Sequence, residues 1–107
     1  MTQEDFWEIV QELNFKSDND FERCSYQLTS RFELGELLEL EDIAWDLVRN
    51  LHLKFPHHQD ISDDGWSDLC YDIVSRGKEF YESITESKIK EMIKSKDYVT
   101  SFGYSFH

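Results

Sequence analysis

Proline and glycine are scarce in this sequence, which has one Pro and four Gly among its 107 residues. Disordered and low-complexity chains are usually rich in these residues and poor in aromatic ones, whereas 15% of the residues here are Phe, Trp or Tyr. The composition therefore predicts a folded protein. Because roughly 100 to 150 residues is the usual size of a domain, we expect residues 1–107 to form a single one.

Cysteine is also scarce, and long apolar runs are absent. Cys24 and Cys70 have no partner at C-x-x-C spacing, and each falls on the apolar face of a predicted helix. We therefore expect reduced thiols in the core, not a disulfide or a nucleophile. No apolar run approaches the ~18 residues of a membrane span, and residues 1–5 lack the features of a secretory signal. These absences predict a cytoplasmic protein.

Apolar residues recur at three- and four-residue steps through most of the chain, which is the spacing of amphipathic helices. The fold class predicted is an all-α bundle of five or six helices. Their expected positions are Thr2 to Leu13, Asp20 to near Gly35, Glu36 or Glu41 to Leu53, Asp64 to Arg76, a short stretch containing Phe80 to Ile84, and Glu86 to Lys96.

Residues 97–107 depart from the helical pattern. Large side chains alternate there with smaller ones, which is the two-residue period of an extended strand, at Tyr98, Thr100, Phe102, Tyr104 and Phe106. No second strand is evident to pair with this segment. We therefore expect an extended C-terminal arm whose aromatic face lies over the bundle. Addition of the arm to a partner's sheet is the alternative.

Lys and Arg are few compared with Asp and Glu, and the imbalance is concentrated in the first half of the chain. Residues 1–48 contain thirteen Asp or Glu against three Lys or Arg, a formal charge near −10 out of a total of −12. Such a surface repels nucleic acid and anionic membranes and attracts basic partners at long range. We therefore expect binding to a cationic protein surface, and neither nucleic-acid nor membrane binding.

Two acidic segments without Lys or Arg form the predicted partner-binding surface. The first contains Glu33, Glu36, Glu39, Glu41, Asp42 and Asp46, and the second contains Asp60, Asp63, Asp64, Asp68 and Asp72. Because Asp68 and Asp72 are four residues apart on a helix, we expect both to face solvent.

Tight binding also needs aromatic anchors, because carboxylates contribute more to rate and register than to affinity. Trp45 is the best candidate, since it lies at the edge of an apolar stripe and close to Asp42. Trp7 and Tyr26 occupy comparable flanks of their own helices. Partial burial at the edge of the core is the alternative for all three residues.

No arrangement of residues typical of catalysis or cofactor binding is found, and we expect neither an enzyme nor a cofactor. Asp60–Gly65 matches the first half of a calcium loop, but Tyr71 stands where the bidentate Glu is required. His57 and His58 are adjacent, so their rings are badly placed to share a metal ion. We therefore expect no metal site and interpret residues 62–64 as caps of the following helix.

Two segments resemble an uncharacterised bacterial family of helical domains. They are Phe6–Ile9 (FWEI) and, within Ser62–Phe80, the stretches SDDGW and IVSRGKEF. The resemblance implies an apolar helix that runs into a glycine and is followed by a further short helix. The family assigns no catalytic residues, so the function that this resemblance implies is that of a non-catalytic adaptor or regulatory module.

In size and acidic character the chain more loosely resembles the immunity proteins of contact-dependent growth inhibition and other bacterial toxin systems. These proteins bind and block a basic toxin domain such as a nuclease. The resemblance implies that the partner is a cognate basic toxin domain, and that the two acidic segments bind it. Inhibition of a toxin is our leading prediction, and the adaptor is the alternative.

Overall fold

The computed structural model describes residues 1–106, and helices account for most of them. The α-helices of this part are α1 (Gln3–Leu13), α2 (Phe21–Arg31), α3 (Leu34–Lys54), α4 (Asp63–Ser75), α5 (Lys78–Ser83) and α6 (Glu86–Ser95). Short 3-10 helices lie at Asp18–Asp20 and Phe102–Phe106. No strand is present between residues 1 and 106. The prediction of an all-α bundle is confirmed.

Local capping residues set where several helices begin. Thr2 and Asp5 form a reciprocal pair at the start of α1, in which each side chain accepts a hydrogen bond of 3.1 Å from the other residue's backbone N–H. Ser62 caps α4 by accepting a 3.1 Å hydrogen bond from the Gly65 N–H. Gly77 separates α4 from α5 with a φ of +105°, a conformation that side chains with a Cβ atom rarely adopt.

One hydrophobic core joins these elements. The largest fully buried side chains come from every α-helix except α5 and from the C-terminal 3-10 helix, and include Phe6, Leu28, Leu40, Leu69, Ile73, Ile89, Met92 and Phe102. Cys24 and Cys70 are free and buried, as predicted. Burial raises the pKa of Cys70 to about 12, so its thiol stays protonated and unreactive.

The boundary between α2 and α3 differs from the prediction. Helix α2 ends at Arg31, and α3 already begins at Leu34 and runs through Gly35. The backbone becomes extended at Phe32, whose ring packs against the core. The Glu36 carboxylate then accepts a 3.1 Å hydrogen bond from the Glu33 N–H and starts the new helix. Gly35 therefore lies in a first turn and does not end a helix.

The prediction of an extended C-terminal arm is wrong. Phe102, Ser105 and Phe106 are the buried residues of this segment, and their spacing is that of a helical turn. The Tyr104 N–H donates a 3.0 Å hydrogen bond to the Ser101 carbonyl. In a turn, the backbone N–H and C=O groups of this segment can form hydrogen bonds with each other. A strand would instead need a neighbouring strand, which residues 1–106 do not contain.

The C-terminal 3-10 helix nevertheless lies across the bundle with its aromatic side chains inward. The Phe102 and Phe15 rings meet edge to face with centroids 5.2 Å apart, and the Phe106 ring lies 6.0 Å from that of Phe6. This segment contacts α2, α3 and α4. His107, the last residue of the predicted arm, lies outside the described residues.

Candidate partner-binding surface

The first acidic segment follows the rotation of α3 and so does not lie on one side of the helix. Successive residues of an α-helix point about 100° apart. Glu36 and Trp45 are nine residues apart and therefore point in nearly opposite directions. Glu36 and Glu39 face a cavity beside α1, whereas Asp42 and Trp45 are exposed on the outer side. Glu39 and Asp42 are three residues apart and therefore neighbours, so the acidic segment winds from the cavity side of α3 towards the side that carries Trp45.

Helix α3 exposes four large apolar side chains, Leu34, Leu38, Trp45 and Leu53, and we call the first three the outer stripe. Leu34 is 72% exposed, Leu38 is 51% exposed and Trp45 is 45% exposed. Their spacing of four and seven residues places them on one line along the helix. Single exposed apolar residues are common on protein surfaces, but a row of them beside polar groups is typical of an interaction site.

Carboxylates accompany the outer stripe. Asp42 precedes Trp45 by three residues and is exposed, and its carboxylate makes no hydrogen bond or ion pair to any other residue within 1–106. Asp46 lies 3.2 Å from Arg49 in an exposed ion pair, which contributes little to stability. Glu41 is half-buried, and its charge helps to raise the pKa of Tyr71, for which burial is the main cause. Asp42 is therefore the carboxylate most available to a partner.

Trp45 packs against His52, which belongs to an aromatic stack built on the buried Trp66. The His52 ring meets Trp45 edge to face at a centroid distance of 6.2 Å and stacks on the buried Trp66 at 5.6 Å. His57 stacks on the same indole at 6.3 Å. Burial lowers the pKa of His52, and the neighbouring His57 lowers it further. The exposed Trp45 thus has one packed neighbour, His52, which in turn rests on the buried Trp66.

The other two aromatic candidates have different surroundings. Trp7 is buried and packs against Phe6 and Tyr81, with ring centroids 5.6 and 5.5 Å away. It is a core residue, as the alternative interpretation held. Tyr26 is 73% exposed on α2 and lies away from the outer stripe in sequence.

Four aspartates of the second acidic segment lie at least partly at the surface. Asp60, Asp63 and Asp64 are exposed. The Asp63 carboxylate lies 3.2 Å from His57 Nδ1, which connects the start of α4 to the aromatic stack under Trp45. Asp68 is half-buried, and this burial, with the nearby charges of Asp64 and Asp18, raises its pKa.

Asp72, the last member of the second segment, was predicted to face solvent, and this prediction is wrong. The residue is only 2% exposed. Its carboxylate accepts hydrogen bonds of 2.8 Å from Arg76 Nε and 3.0 Å from the Val99 N–H. Burial raises its pKa, while the bond from Val99 and the charge of Arg76 oppose the rise. The residue is covered because the segment after α6 crosses this face of α4.

Asp18 plays a matching role that the sequence analysis missed. Its carboxylate accepts bonds of 2.9 Å from the N–H groups of both Thr100 and Ser101, and one of 2.6 Å from Ser101 Oγ. Asp18 and Asp72 thus hold residues 99–101 from two sides, and we call this arrangement the C-terminal clasp. More than 80 residues separate Asp18 from Thr100, so no local pattern could have indicated the contact.

A scan against protein-family models, a search of curated proteins and a search of solved structures find no match to this chain. Both family resemblances described above accordingly stay predictions. Among residues 1–106, no helix combines the length and apolar character that a membrane span requires. Nor do three His, Cys, Asp or Glu side chains within that range gather as metal ligands would.

Proposed function

We propose that this protein is a bacterial immunity protein that acts in the cytoplasm by binding and blocking a basic toxin domain, a nuclease by our leading prediction. The observation that carries the proposal is the exposed Trp45, which packs against His52 and lies beside Asp42 on the outer stripe of α3. This pairing of an aromatic anchor with an available carboxylate fits a partner surface that is both cationic and partly apolar.

The charge of the protein supports such a partner. A nuclease must present cationic groups to hold phosphate, and a protein of formal charge −12 attracts that surface over long distances. Steering of this kind raises the association rate, which matters to an inhibitor that must capture a lethal enzyme quickly. Leu34, Leu38 and Trp45 would then supply the apolar contact that slows dissociation.

The start of α4 extends the proposed interface. Trp45 contacts His52, His52 stacks on Trp66, and Trp66 stacks on His57, which pairs with Asp63. Asp63 and the neighbouring Asp64 are exposed at the end of this series of contacts. Both would add negative charge beside the outer stripe, while the buried Asp72 is excluded from the interface.

The test is co-expression of this protein with the toxic domain encoded by the neighbouring gene. We expect cell survival and a complex that can be co-purified. Trp45→Ala should weaken the complex about 30-fold, the effect of losing a hot-spot contact of about 2 kcal/mol. Asp42→Lys should slow association and reduce its dependence on salt, because a steering charge is reversed.

Glu82→Lys is the matched control for Asp42→Lys, since Glu82 is exposed on α5 and its reversal changes the net charge equally. It should leave association close to wild type. Cell death without a complex would contradict the proposal. Stable binding that leaves the partner's toxicity unchanged would instead favour the adaptor function.

A further inference from the structure

A groove with one apolar and one acidic half lies on the side of α3 opposite the outer stripe. Two adjoining cavities of about 340 Å³ each occupy the space between α1, α2 and the start of α3. Both are lined by Ile9, Glu12, Arg31 and Phe32, so they adjoin one another, and we call the two together the α1–α2 groove. Each half is near the lower limit of roughly 300–1,000 Å³ for small-molecule pockets, a size suited to individual side chains.

The two halves of the α1–α2 groove differ in chemistry. One half has an apolar lining from Ile9, Leu13, Leu28 and Phe32, with the exposed Tyr26 at its edge. The other half is bordered by five carboxylates, from Asp5, Glu8, Glu12, Glu36 and Glu39, against the cations of Arg31 and the Met1 amino group. An apolar side chain and a cation are therefore the complementary occupants of its two ends.

Arg31 shows how the groove holds a guanidinium group. Its guanidinium carbon lies 5.1 Å from the centroid of the Phe32 ring, and it forms an ion pair with Glu12. A guanidinium over an aromatic face with a carboxylate beside it is a favourable arrangement that arginine adopts more readily than lysine. Arg31 pairs with one carboxylate only, that of Glu12, and the Glu8 carboxylate makes no hydrogen bond or ion pair within residues 1–106.

We infer that the α1–α2 groove binds an arginine-containing segment of a partner protein, with an apolar side chain against Phe32 and Tyr26 and the arginine against Glu8. The lining carries a formal charge near −3, which favours a basic occupant and disfavours a second copy of this acidic chain. This inference concerns a different surface from the proposed toxin interface and does not depend on it.

The experiment is a titration of the ¹⁵N-labelled protein with a synthetic hexapeptide of alternating leucine and arginine. The control peptide has glutamate in place of each arginine. We expect amide shifts confined to α1, α2 and residues 31–39 with the arginine peptide, and none with the glutamate peptide. Shifts centred on residues 42–53, or equal binding of both peptides, would overturn the inference.

Variants then distinguish peptide binding in the groove from general attraction of the basic peptide to the acidic protein. Glu8→Lys and Tyr26→Ser alter exposed side chains and should each weaken peptide binding about fivefold. Glu82→Lys makes the same change of net charge at a residue outside the groove lining, and should leave peptide binding unchanged. Equal weakening by Glu8→Lys and Glu82→Lys would refute a specific site. Trp45→Ala should not affect the peptide, so failure here and failure of the proposed function are distinguishable.

Discussion

The C-terminal clasp gives the most direct test of the structure. Replacement of Asp72 by alanine should have different effects on stability if this residue faces solvent and if it is buried. If Asp72 were a solvent-facing carboxylate, as the helical pattern of α4 predicted, its loss would leave stability almost unchanged. In the structure its carboxylate is buried and bonds to Arg76 and Val99. Its loss should therefore destabilise the fold.

The magnitude follows from what each partner of Asp72 loses. The Val99 N–H, which is partly buried, would be left without an acceptor. An unsatisfied buried donor costs about 1–3 kcal/mol, so we expect a cost near the lower end of that range here. The Arg76 side chain is 31% exposed, so water can replace part of its lost contact. Removal of the desolvated carboxylate offsets a further part, since burial already raises its pKa. We expect Asp72→Ala to lower the free energy of unfolding by about 2 kcal/mol.

Urea denaturation followed by circular dichroism would measure this change in free energy. In thermal denaturation the Tm should fall by about 10 °C, at 4–8 °C per kcal/mol. Asp72→Asn keeps an acceptor for Val99 and should lose about half as much stability. Asp42→Ala, an exposed aspartate on α3, is the control and should stay within about 0.5 kcal/mol of wild type. If Asp72→Ala behaved like Asp42→Ala, the clasp would be refuted.

Two further predictions concern acid sensitivity and the helix boundaries. Burial opposes ionisation of Asp18, but the hydrogen bonds from Ser101 and Thr100 outweigh it and hold its pKa below the ordinary value. A lowered pKa in the folded state stabilises the fold above the unfolded pKa near 4, and this contribution is lost as pH falls through the folded pKa. The difference in unfolding free energy between wild type and Asp18→Asn should therefore shrink from pH 6 to pH 2, and a constant difference would contradict it. Gly77→Ala should lower the free energy of unfolding, measured by urea denaturation, by about 1–2 kcal/mol because φ is +105°. Gly35 lies in a helical turn with open space around its Cβ position, so Gly35→Ala should raise the free energy of unfolding by up to about 1 kcal/mol. Equal effects of the two substitutions would refute the assigned backbone conformations.

Helix positions were predictable where the determining interaction is local. The reciprocal cap of Thr2 and Asp5 spans three residues, as does the Ser62 cap of α4, and apolar periodicity identified the inward face of each helix. The predicted boundary between α2 and α3 was wrong because Gly35 was interpreted as the end of a helix. The actual boundary depends on the packing of Phe32 into the core, which no sequence window reveals.

The errors at Asp72 and at the C-terminal segment share one cause. A helical wheel shows which side of α4 avoids the main core, but it does not show that residues 97–101 later cross that side and bury Asp72. Likewise, Phe102 and Phe106 are four residues apart, a spacing that satisfies both a two-residue alternation and a helical turn. Only the absence of a neighbouring strand within residues 1–106 decides between the two.

The outer stripe and the α1–α2 groove both include residues of α3, so the salt concentration decides whether their charges can be tested separately. An α-helix with its side chains is about 10–12 Å across, and the Debye length is about 8 Å at an ionic strength of 0.15 M but about 30 Å at 0.01 M. At low salt, Glu36 and Asp42 therefore act on a basic partner as parts of one field, although they lie on different sides of α3. A charge reversal at either position would then slow association with a ligand of the opposite surface. Variants can be assigned to the outer stripe or to the α1–α2 groove only at 0.15 M salt or above, where the exposed charges of the two surfaces are screened from each other.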